Sequence, residues 1–248
     1  MLDGWETTKA NRRLSGLTIF HLVSYQLHEL IPRTAMSETA QQTAERLNGL
    51  LSAAGLDPLE SCTADRFATY CALLLRWNAR TNLTAVRDED GILSRHFVES
   101  IACARALPKG IATLLDFGSG AGFPGIPIAL CRAEIAVTLA ESQSKKAAFL
   151  REAVRTLRLS AFVHSGRAEQ LDTRFDCVTL RAVDHMTQAA ETAIRLLVPG
   201  GWLALMTTKS EAGTLRESCG DVSSNWSELP LPGSDQRVLL LGQLNLPA

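Results

Sequence analysis

The chain has 248 residues, of which 46% are hydrophobic and 21% are charged, and its formal net charge is −1. This is the composition of a soluble globular protein. The near-zero charge excludes a strongly basic surface that binds nucleic acid through bulk charge, so any RNA contact must come from a local patch. No segment stays apolar for the roughly 18 residues that a membrane helix needs, and no membrane partner is predicted.

Residues 1–35 are harder to place than the rest of the chain. Lys9, Arg12 and Arg13 precede a short apolar run, an order that faintly resembles a signal peptide. Polar residues interrupt the run and no small-residue cleavage site follows, so a secretory leader is not predicted. A helical pattern follows Met36. Residues 1–35 are therefore interpreted as an uncertain N-terminal extension, and one explanation is that translation begins at Met36 and the start of the sequence was assigned too far upstream.

Six cysteines lie singly along the chain, without a C-x-x-C pair or a histidine at metal-ligand spacing: Cys62, Cys71, Cys103, Cys131, Cys177 and Cys219. Four of them sit inside apolar runs, where a reduced thiol behaves as a small hydrophobic group. We therefore predict a cytoplasmic protein without disulfides and without a metal site.

Three helices are predicted in a helical part that spans residues 36–108. Gly55 is expected to end the first, Thr63 to cap the second, and Asp88 or Asp90 to begin the third, which ends before Pro108. Apolar and small residues recur in each at the helical spacing of three or four: Leu47, Leu50, Leu51 and Ala54; Phe67, Cys71, Leu74 and Leu75 or Trp77; Ile92, Phe97, Ser100, Ile101 and Ala104.

Short apolar runs of strand length replace this pattern in residues 109–248. They are Ile111–Phe117, Ile135–Ala140, Ala161–His164, Phe175–Leu180, Trp202–Thr207 and Arg237–Leu241. Helical stretches such as Ser144–Leu157 and Met186–Leu197 separate most of them, and Pro199-Gly200-Gly201 predicts a turn. Alternating strands and helices predict an α/β fold, a Rossmann-like domain whose parallel sheet is covered by helices on both faces.

The densest local feature is a glycine loop between a predicted strand and a predicted helix. Residues 114–125 read L-L-D-F-G-S-G-A-G-F-P-G. Glycines allow a tight turn and a close approach of backbone N–H groups to a ligand. Pro124 and Pro127 suit the first turn of the helix that follows. This context makes the loop a candidate nucleotide-binding site.

Two ligand classes fit this loop, beside the plain alternative of a turn without ligand. Gly120, Gly122 and Gly125 satisfy a dinucleotide fingerprint, which would indicate an NAD(P)-dependent oxidoreductase. In the other frame Asp116 precedes Gly118, Gly120 and Gly122, the arrangement of methyltransferases that use S-adenosylmethionine. Asp116 favours the second frame, because a carboxylate there repels a pyrophosphate and suits a cationic methionyl group.

Two further carboxylates follow successive predicted strands. Glu141 comes just past the second strand and is a candidate acceptor for both ribose hydroxyls. Glu169 follows the third strand and is a candidate for the adenine pocket. Each alone is typical of a solvated surface residue. At neighbouring strand ends, where open α/β sheets bind ligands, they support each other.

Several separated blocks resemble the family of ribosomal RNA small-subunit guanine-N7 methyltransferases, over most of the chain from about Leu47 to about Lys209. The most specific is the signature block Arg76–Asp88, which matches the family's W-N-x-x-x-N-L-T pattern. The others are Arg95-His96 with Ser100, Asp116 to Pro127 with its Pro-Gly-x-Pro ending, Glu141-Ser142 with Lys145-Lys146 and Phe149-Leu150, Arg167-Ala168-Glu169, and Arg181-Ala182. Two positions depart from it: Glu99 replaces the usual Asp, and Lys209 lies in Thr-Lys-Ser instead of Leu-Lys-Gly.

The resemblance implies S-adenosylmethionine as the cofactor and contacts to it from Gly118, Phe123, Glu141, Ser142, Gln143, Ala168, Glu169 and Arg181. The loop frame adds Asp116, Gly120 and Gly122. The implied reaction is methyl transfer to N7 of a guanine in 16S rRNA, by resemblance guanine 527, and the expected partner is that RNA within the 30S subunit. Guanine N7 carries no proton, so an in-line displacement needs alignment and no general base. A non-catalytic module that binds the cofactor on the ribosome is the remaining alternative.

Candidate RNA contacts follow from the same reasoning. Phe123 and Arg181 are candidates to hold a splayed base between an aromatic and a guanidinium plane, which gives Arg181 a role in positioning the substrate. Basic side chains form the predicted RNA-binding set of Arg76, Arg80, Arg87, Arg95, Lys145, Lys146 and Lys209. Charge runs on helices are often only solvated faces. His96 is given no catalytic role, and a monomer is expected.

Overall fold

The computed structural model describes residues 37–220 and 226–245. The predicted extension, residues 1–35, lies outside the described residues. The described residues from Glu38 onward group into one unit by their contacts, so the predicted helical part and the predicted sheet belong to the same compact body.

Helices come first along the described chain and form what is called here the helical layer, Glu38–Ala106. It consists of α1 (Glu38–Ala53), α2 (Ser61–Asn78), α3 (Glu89–Gly91), a π-helical segment (Ile92–Phe97) and α4 (Val98–Ala106). The three predicted helices are thereby confirmed in place, the third as the composite α3, π-helical segment and α4.

Two details of these helices differ from the prediction. The N-cap of α2 is Glu60 and the predicted cap Thr63 lies inside the helix, because Ala64 N–H already bonds the Glu60 carbonyl. The third helix contains a widened turn in which Val98 N–H donates to Leu93 O, five residues back. Its start is as expected, since Asp88 Oδ1 accepts from Gly91 N–H at 2.7 Å. Such π turns often occur near functional sites.

A seven-stranded sheet follows, in the order β3-β2-β1-β4-β5-β7-β6. Its strands are β1 (Thr113–Phe117), β2 (Ala136–Ala140), β3 (Ala161–His164), β4 (Phe175–Arg181), β5 (Leu197–Thr208), β6 (Ser227–Pro230) and β7 (Arg237–Gln243). The connecting helices are α5 (Gly125–Cys131), α6 (Ser144–Thr156), α7 (Met186–Ile194) and α8 (Lys209–Ser218), and a short 3₁₀ turn covers Ala168–Gln170.

The predicted α/β architecture with helices on both faces is confirmed. Alternate strand residues separate two buried clusters: Leu114 packs on the face covered by the helical layer, α5 and α6. Leu115, its neighbour in β1, packs on the face covered by α7 and α8. This alternation follows from the two-residue period of a strand.

Three features of the sheet differ from the prediction. Five strands are parallel, but β7 runs antiparallel to β5, and β6 antiparallel to β7. Pro199–Gly201 lies within β5 and not in a separate turn; there the pairing jumps from Phe175–Leu197 to Cys177–Trp202. Strand β6 and helix α8 were not predicted. Apolar spacing carries no information on strand direction, which explains the first difference.

Among the described helices none is long and apolar enough to cross a membrane. The part of the chain that the structure describes also contains no group of three potential metal ligands. All six cysteines are free thiols, four of them buried.

Candidate active site

The glycine loop lies at the carboxyl edge of the sheet. It leaves β1 at Phe117 and enters α5 at Gly125. β1 has β2 on one side and β4 on the other, so successive connections diverge at this point. A crevice forms where the strand order reverses, and open α/β sheets bind their ligands there.

Three glycines of the loop adopt a left-handed backbone. Their φ angles are 69° at Gly118, 56° at Gly120 and 92° at Gly122. Side chains are costly in this conformation. At Gly122 a Cβ atom would also lie 2.5 Å from Ile126 Cδ1 and 2.8 Å from the Tyr70 hydroxyl. The glycine spacing that marks the loop in the sequence is therefore a backbone requirement.

Asp116 is buried beneath the loop, with 1% of its surface exposed. Its Oδ2 accepts from Gly125 N–H at 3.2 Å, and its Oδ1 accepts from the Thr179 hydroxyl at 3.0 Å. Burial raises the pKa of Asp116 to about 6, against hydrogen bonds and the positive Arg181, which lower it. The carboxylate thus ties the two ends of the loop together from inside the sheet.

Glu141 stands directly after β2 and is buried against the same loop. Its Oε2 accepts from Gly120 N–H at 2.9 Å, and its Oε1 accepts from Gln143 N–H at 2.7 Å. Ser142 and Gln143 are exposed beside it. The structure therefore places the Glu141 carboxylate, the predicted acceptor for the ribose hydroxyls, against the middle glycine of the loop. Both of its oxygens can accept a further hydrogen bond.

The predicted adenine-pocket residues follow β3, which pairs with β2. Ala168 is buried and Glu169 is exposed in the short 3₁₀ turn. Since β2 and β3 are parallel neighbours, the segments after them lie on the same edge of the sheet. The geometry brings Glu169 to the correct edge, and its contact with a ligand stays a prediction.

Phe123 closes the loop on the side of the helical layer and is 7% exposed. Its ring stacks on His96, with centroids 4.7 Å apart and planes at 26°, and it also contacts Tyr70 and Phe97. The Arg181 guanidinium carbon lies 5.7 Å from its centroid. His96 and Arg181 both lie against the ring, and little of Phe123 is exposed in this structure; its stacking on a base stays a prediction.

Arg181 ends β4 and is likewise buried, with 7% of its side chain exposed. Its Nη2 pairs with Glu99 Oε2 at 2.7 Å, and its Nη1 donates to Ser100 Oγ at 3.0 Å. A second ion pair joins Glu99 Oε1 to Arg237 Nε at 3.2 Å. Burial lowers the pKa of Arg181 to about 10, while Glu99 raises it. The side chain therefore fastens the end of β4 to the helical layer.

His96 links Arg181 to the signature block. Arg181 Nη2 lies 3.1 Å from His96 Nδ1, and His96 Nε2 lies 2.8 Å from Thr84 Oγ1. A guanidinium only donates hydrogen bonds, so Nδ1 is the acceptor and the ring proton sits on Nε2. Burial and three arginines lower the pKa of His96 to about 3. The imidazole is therefore neutral near pH 7 and engaged at both nitrogens.

The signature block is a hydrogen-bonded loop organised by one side chain. Asn78, 2% exposed, accepts with Oδ1 from Leu83 N–H and Thr84 N–H. Its Nδ2 donates to the carbonyls of Thr84 and Val86 at 3.1 and 2.9 Å. Trp77 contacts Phe149 and donates to Glu152. The unusual residue pattern thus first fixes the position of Thr84, which in turn bonds His96.

Comparison with known proteins gives the relationship of the whole chain. Residues 63–228 match the model of a family described as rRNA small subunit methyltransferase G. A protein of that name from Roseiflexus sp. (strain RS-1) is 38% identical over 74% of this chain and 84% of its own. The protein of the same name from Neisseria meningitidis serogroup A is 39% identical over 77% of this chain and 93% of its own. The one from Xanthomonas oryzae pv. oryzae is 42% identical over 71% of this chain and 84% of its own. The chain belongs to this family.

Solved structures support the fold of this family member. A methyltransferase from Pyrococcus furiosus aligns with a TM-score of 0.56 over 73% of this chain and 97% of its own, at 15% identity. A SAM dependent methyltransferase from Aquifex aeolicus aligns with a TM-score of 0.50 over 62% of this chain and 93% of its own, at 17% identity. These likenesses confirm the Rossmann-like methyltransferase sheet, and with the family they favour the frame that begins at Asp116 over the dinucleotide frame.

The predicted basic set divides by its partners. Arg76 pairs with Glu152 at 2.8 Å, and Arg87 donates to Asn78 O and Asn82 Oδ1 at 2.9 and 2.6 Å. Arg95 is exposed beside the buried cluster, since its carbonyl accepts from Arg181. Lys209 is exposed at the start of α8, directly after β5. Arg80 and Lys145 are exposed and Lys146 is half-buried. RNA contacts of this set stay predictions.

Sequence reasoning missed the buried partners of the site. Tyr70 and Arg237 were not singled out, His96 was set aside, and Glu99 was noted only as a departure from the family. Two of their contacts join residues far apart in the sequence: Tyr70 with Ala121, 51 positions apart, and Glu99 with Arg237, 138 positions apart. For Glu99 and Arg237 the signal in the sequence was a charged residue beside apolar ones; for Tyr70 there was no such signal.

Proposed function

We propose that this chain transfers a methyl group from S-adenosylmethionine to N7 of a guanine in 16S rRNA. The observation that carries the proposal is the arrangement at the edge of β1 and β2, where three left-handed glycines and the Glu141 carboxylate meet. Family membership supports ribosomal RNA as the substrate. The 30S subunit as the working substrate, a monomeric enzyme and a cytoplasmic location complete the proposal.

The residues at this edge fit the methyl donor. At Gly120 a Cβ would meet only the Gly118 carbonyl at 3.8 Å, so the absence of a side chain there allows a ligand to approach the loop backbone. Glu141 offers two oxygens to a ribose diol, and Ser142 and Gln143 lie exposed next to it. Glu169, on the neighbouring segment, is proposed to border the adenine, with Ala168 beneath it. Bound there, S-adenosylmethionine supplies an activated methyl group.

Asp116 is proposed to act on the donor through the loop. Its carboxylate is bonded to Gly125 and Thr179 and is nearly inaccessible, so a direct hydrogen bond to the ligand would require the loop to open. Its negative charge remains beneath the site where a sulfonium would lie. The proposed role is therefore to shape Gly118, Gly120 and Gly122 and to add a favourable field.

The reaction needs alignment and exclusion of water. The lone pair of guanine N7 attacks the methyl carbon, and the electron pair of the carbon–sulfur bond remains on sulfur. No proton is removed from N7 in this step, so no general base is required. His96, neutral and bonded at both nitrogens, is not placed to act as one. Holding the two reactants in line is the contribution expected of the protein.

Arg181 is proposed to position the substrate by fixing the mouth of the site. It holds the end of β4 against the helical layer through Glu99 and Ser100. The next residue, Ala182, has a φ of 49°, so the chain turns sharply where β4 ends. Strained backbone of this kind often occurs beside functional sites. Arg95 and Lys209, exposed at this edge, are proposed to contact the RNA backbone.

The decisive test uses purified protein with labelled S-adenosylmethionine and two substrates, naked 16S rRNA and 30S subunits lacking the modification. We expect label in N7-methylguanosine, and more of it from 30S subunits. Tight cofactor binding without transfer would instead identify a non-catalytic module. If NADH stabilises the protein against unfolding and S-adenosylhomocysteine does not, the protein is an NAD(P)-dependent oxidoreductase and the proposal is wrong.

A further inference from the structure

Tyr70 lies at the contact between the helical layer and the glycine loop. It belongs to α2 and is wholly buried. Its hydroxyl donates to the carbonyl of Ala121 at 2.5 Å. Among the described residues, Tyr70 is the helical-layer side chain that hydrogen-bonds the backbone of this loop. The other side-chain bonds to Gly120 and Gly125 come from Glu141 and Asp116, at the ends of sheet strands.

The Tyr70 hydroxyl holds one peptide plane of the loop. The Ala121 carbonyl faces Tyr70, and the N–H on the other side of the same peptide, that of Gly122, donates to Ser119 O at 2.6 Å. Glycine at 122 allows a peptide to rotate more freely than other residues would. Bonds at both ends of the plane oppose that rotation, and only one of them is local to the loop.

Neighbouring rings fix the direction of this hydroxyl. Tyr70 stacks on Phe97 with centroids 5.1 Å apart and planes at 15°. It also contacts Phe123 at 5.6 Å and Phe149 at 6.4 Å. Burial, and to a lesser degree Asp116, raises the pKa of Tyr70 well above its ordinary value. The phenol is therefore a neutral donor at neutral pH.

We propose that Tyr70 is a positioning residue for the methyl donor: through the Ala121 carbonyl, the helical layer holds the glycine loop in the shape that binds the ligand. The cofactor site is then completed by a helix outside the sheet. This inference rests on the proposed function, since it assigns the loop to S-adenosylmethionine. It predicts that Tyr70 affects binding of the donor and leaves the transfer step itself intact.

The test compares Tyr70→Phe with Thr43→Val in the full chain. Tyr70→Phe keeps the ring and removes the hydroxyl. Thr43→Val removes another buried hydroxyl of the helical layer, whose partners are Thr39 O and Glu89 Oε1 and not the glycine loop. Calorimetry with S-adenosylmethionine should show about tenfold weaker binding for Tyr70→Phe and unchanged binding for Thr43→Val, in line with the loss of one buried hydrogen bond. KM for the donor should rise while kcat at saturation stays within twofold.

Binding by Tyr70→Phe within twofold of wild type would overturn the inference, as would an equal loss in Thr43→Val. If wild type itself binds no donor, the proposed function fails and the inference with it, so the two failures are distinguishable. Amide exchange in ligand-free wild type gives a readout that needs no variant. The Gly122 amide should exchange as slowly as the core of α2, and fast exchange would contradict a loop fixed in advance.

Discussion

The sheet edge and the helical layer bury their polar groups in different ways. At the sheet edge, Asp116 accepts from Gly125 N–H and Glu141 from Gly120 N–H, both in the glycine loop, and Glu141 also accepts from Gln143 N–H. In the helical layer, Thr84 bonds His96 and His96 bonds Arg181, so side chains contact side chains. Backbone contacts constrain few residue types beyond the carboxylate and the glycines. Side-chain contacts constrain every member, as at Thr84, whereas Asn78 in the signature block bonds backbone groups as the two carboxylates do.

This difference assigns separate tasks to the two regions. Variants at the sheet edge should change affinity for the methyl donor, and variants along the Thr84–His96–Arg181 chain should change stability and the use of RNA. Each of the following experiments tests whether that separation holds.

The largest effect is expected for Gly122→Ala. The new Cβ would overlap Ile126 Cδ1 at 2.5 Å and would force a side chain to a φ of 92°. Calorimetry should detect no binding of S-adenosylmethionine. Gly49→Ala in α1 is the matched control, because nothing lies within 4 Å of its Cβ. It should bind normally and gain about 0.5–1 kcal/mol of stability. If Gly122→Ala binds S-adenosylmethionine within tenfold of wild type, the glycine loop does not form the binding site for the methyl donor.

His96→Phe should change how stability depends on pH. The folded-state pKa of His96, about 3, lies below its ordinary 6.5, so between these values the unfolded state binds the proton more readily. Its contribution to stability is therefore lost as pH falls through this window, by about 1.4 kcal/mol per pH unit.

Asp116 acts in the opposite direction. Its folded-state pKa is raised to about 6 from 3.8, so the folded state binds the proton more readily and stability rises as pH falls through that range. In wild type the two contributions offset each other between about pH 4 and 6. Denaturant unfolding of His96→Phe should show a gain in stability relative to wild type as pH falls from 6.5 to 4. Parallel pH profiles for the two proteins would show that His96 does not titrate as described.

Glu141→Gln should weaken binding of S-adenosylmethionine about 30-fold. The amide replaces one oxygen with a donor that faces Gly120 N–H or Gln143 N–H, and hydrogen bonds to a charged group contribute about 1.5–3 kcal/mol each. Glu169→Gln, which changes an exposed carboxylate, should cost only a few-fold. Equal losses for the two variants would contradict the placement of the ribose at Glu141.

Thr84→Val should lower the free energy of unfolding by about 1 kcal/mol, because it leaves the His96 Nε2 proton without its acceptor. Affinity for the methyl donor should stay unchanged, and methyl transfer to 30S subunits should fall several-fold. Thr84→Ser, which keeps the hydroxyl, should restore both. Thr81→Val serves as the control in the same loop. A loss of donor affinity in Thr84→Val would break the separation of tasks.

The smallest effect is expected for single arginines on the surface. Arg95→Ala should raise KM for 30S subunits about threefold. It should also lower the slope of log binding constant against log salt concentration by about 1, because one phosphate contact is lost. Arg76→Ala should do less, because Arg76 is already paired with Glu152. Binding measured across a salt series distinguishes the two. A larger effect at Arg76 would reverse this assignment.

The sequence predicted what depends on neighbouring residues. Strand-length apolar runs and the glycine loop were visible because a strand or a left-handed turn imposes its demands locally. The buried contacts of Tyr70 and Glu99 were not, since they join distant segments. β6 was missed because all four of its residues are exposed and one is a proline, so it lacks an alternating pattern. The burial of Phe123 and Arg181 also depends on distant segments, and their contact with a base stays a prediction.

The ion pair between Glu99 and Arg237 has a consequence for the order of assembly. A nascent chain emerges from its amino end, so the helical layer and the glycine loop are available long before β7. Arg181 alone then balances the charge of Glu99, and the second buried ion pair, between Arg237 Nε and Glu99 Oε1, has not yet formed. The mouth of the site should therefore settle only after β7 has been added. An enzyme that modifies ribosomes would thus gain its working form late in its own synthesis.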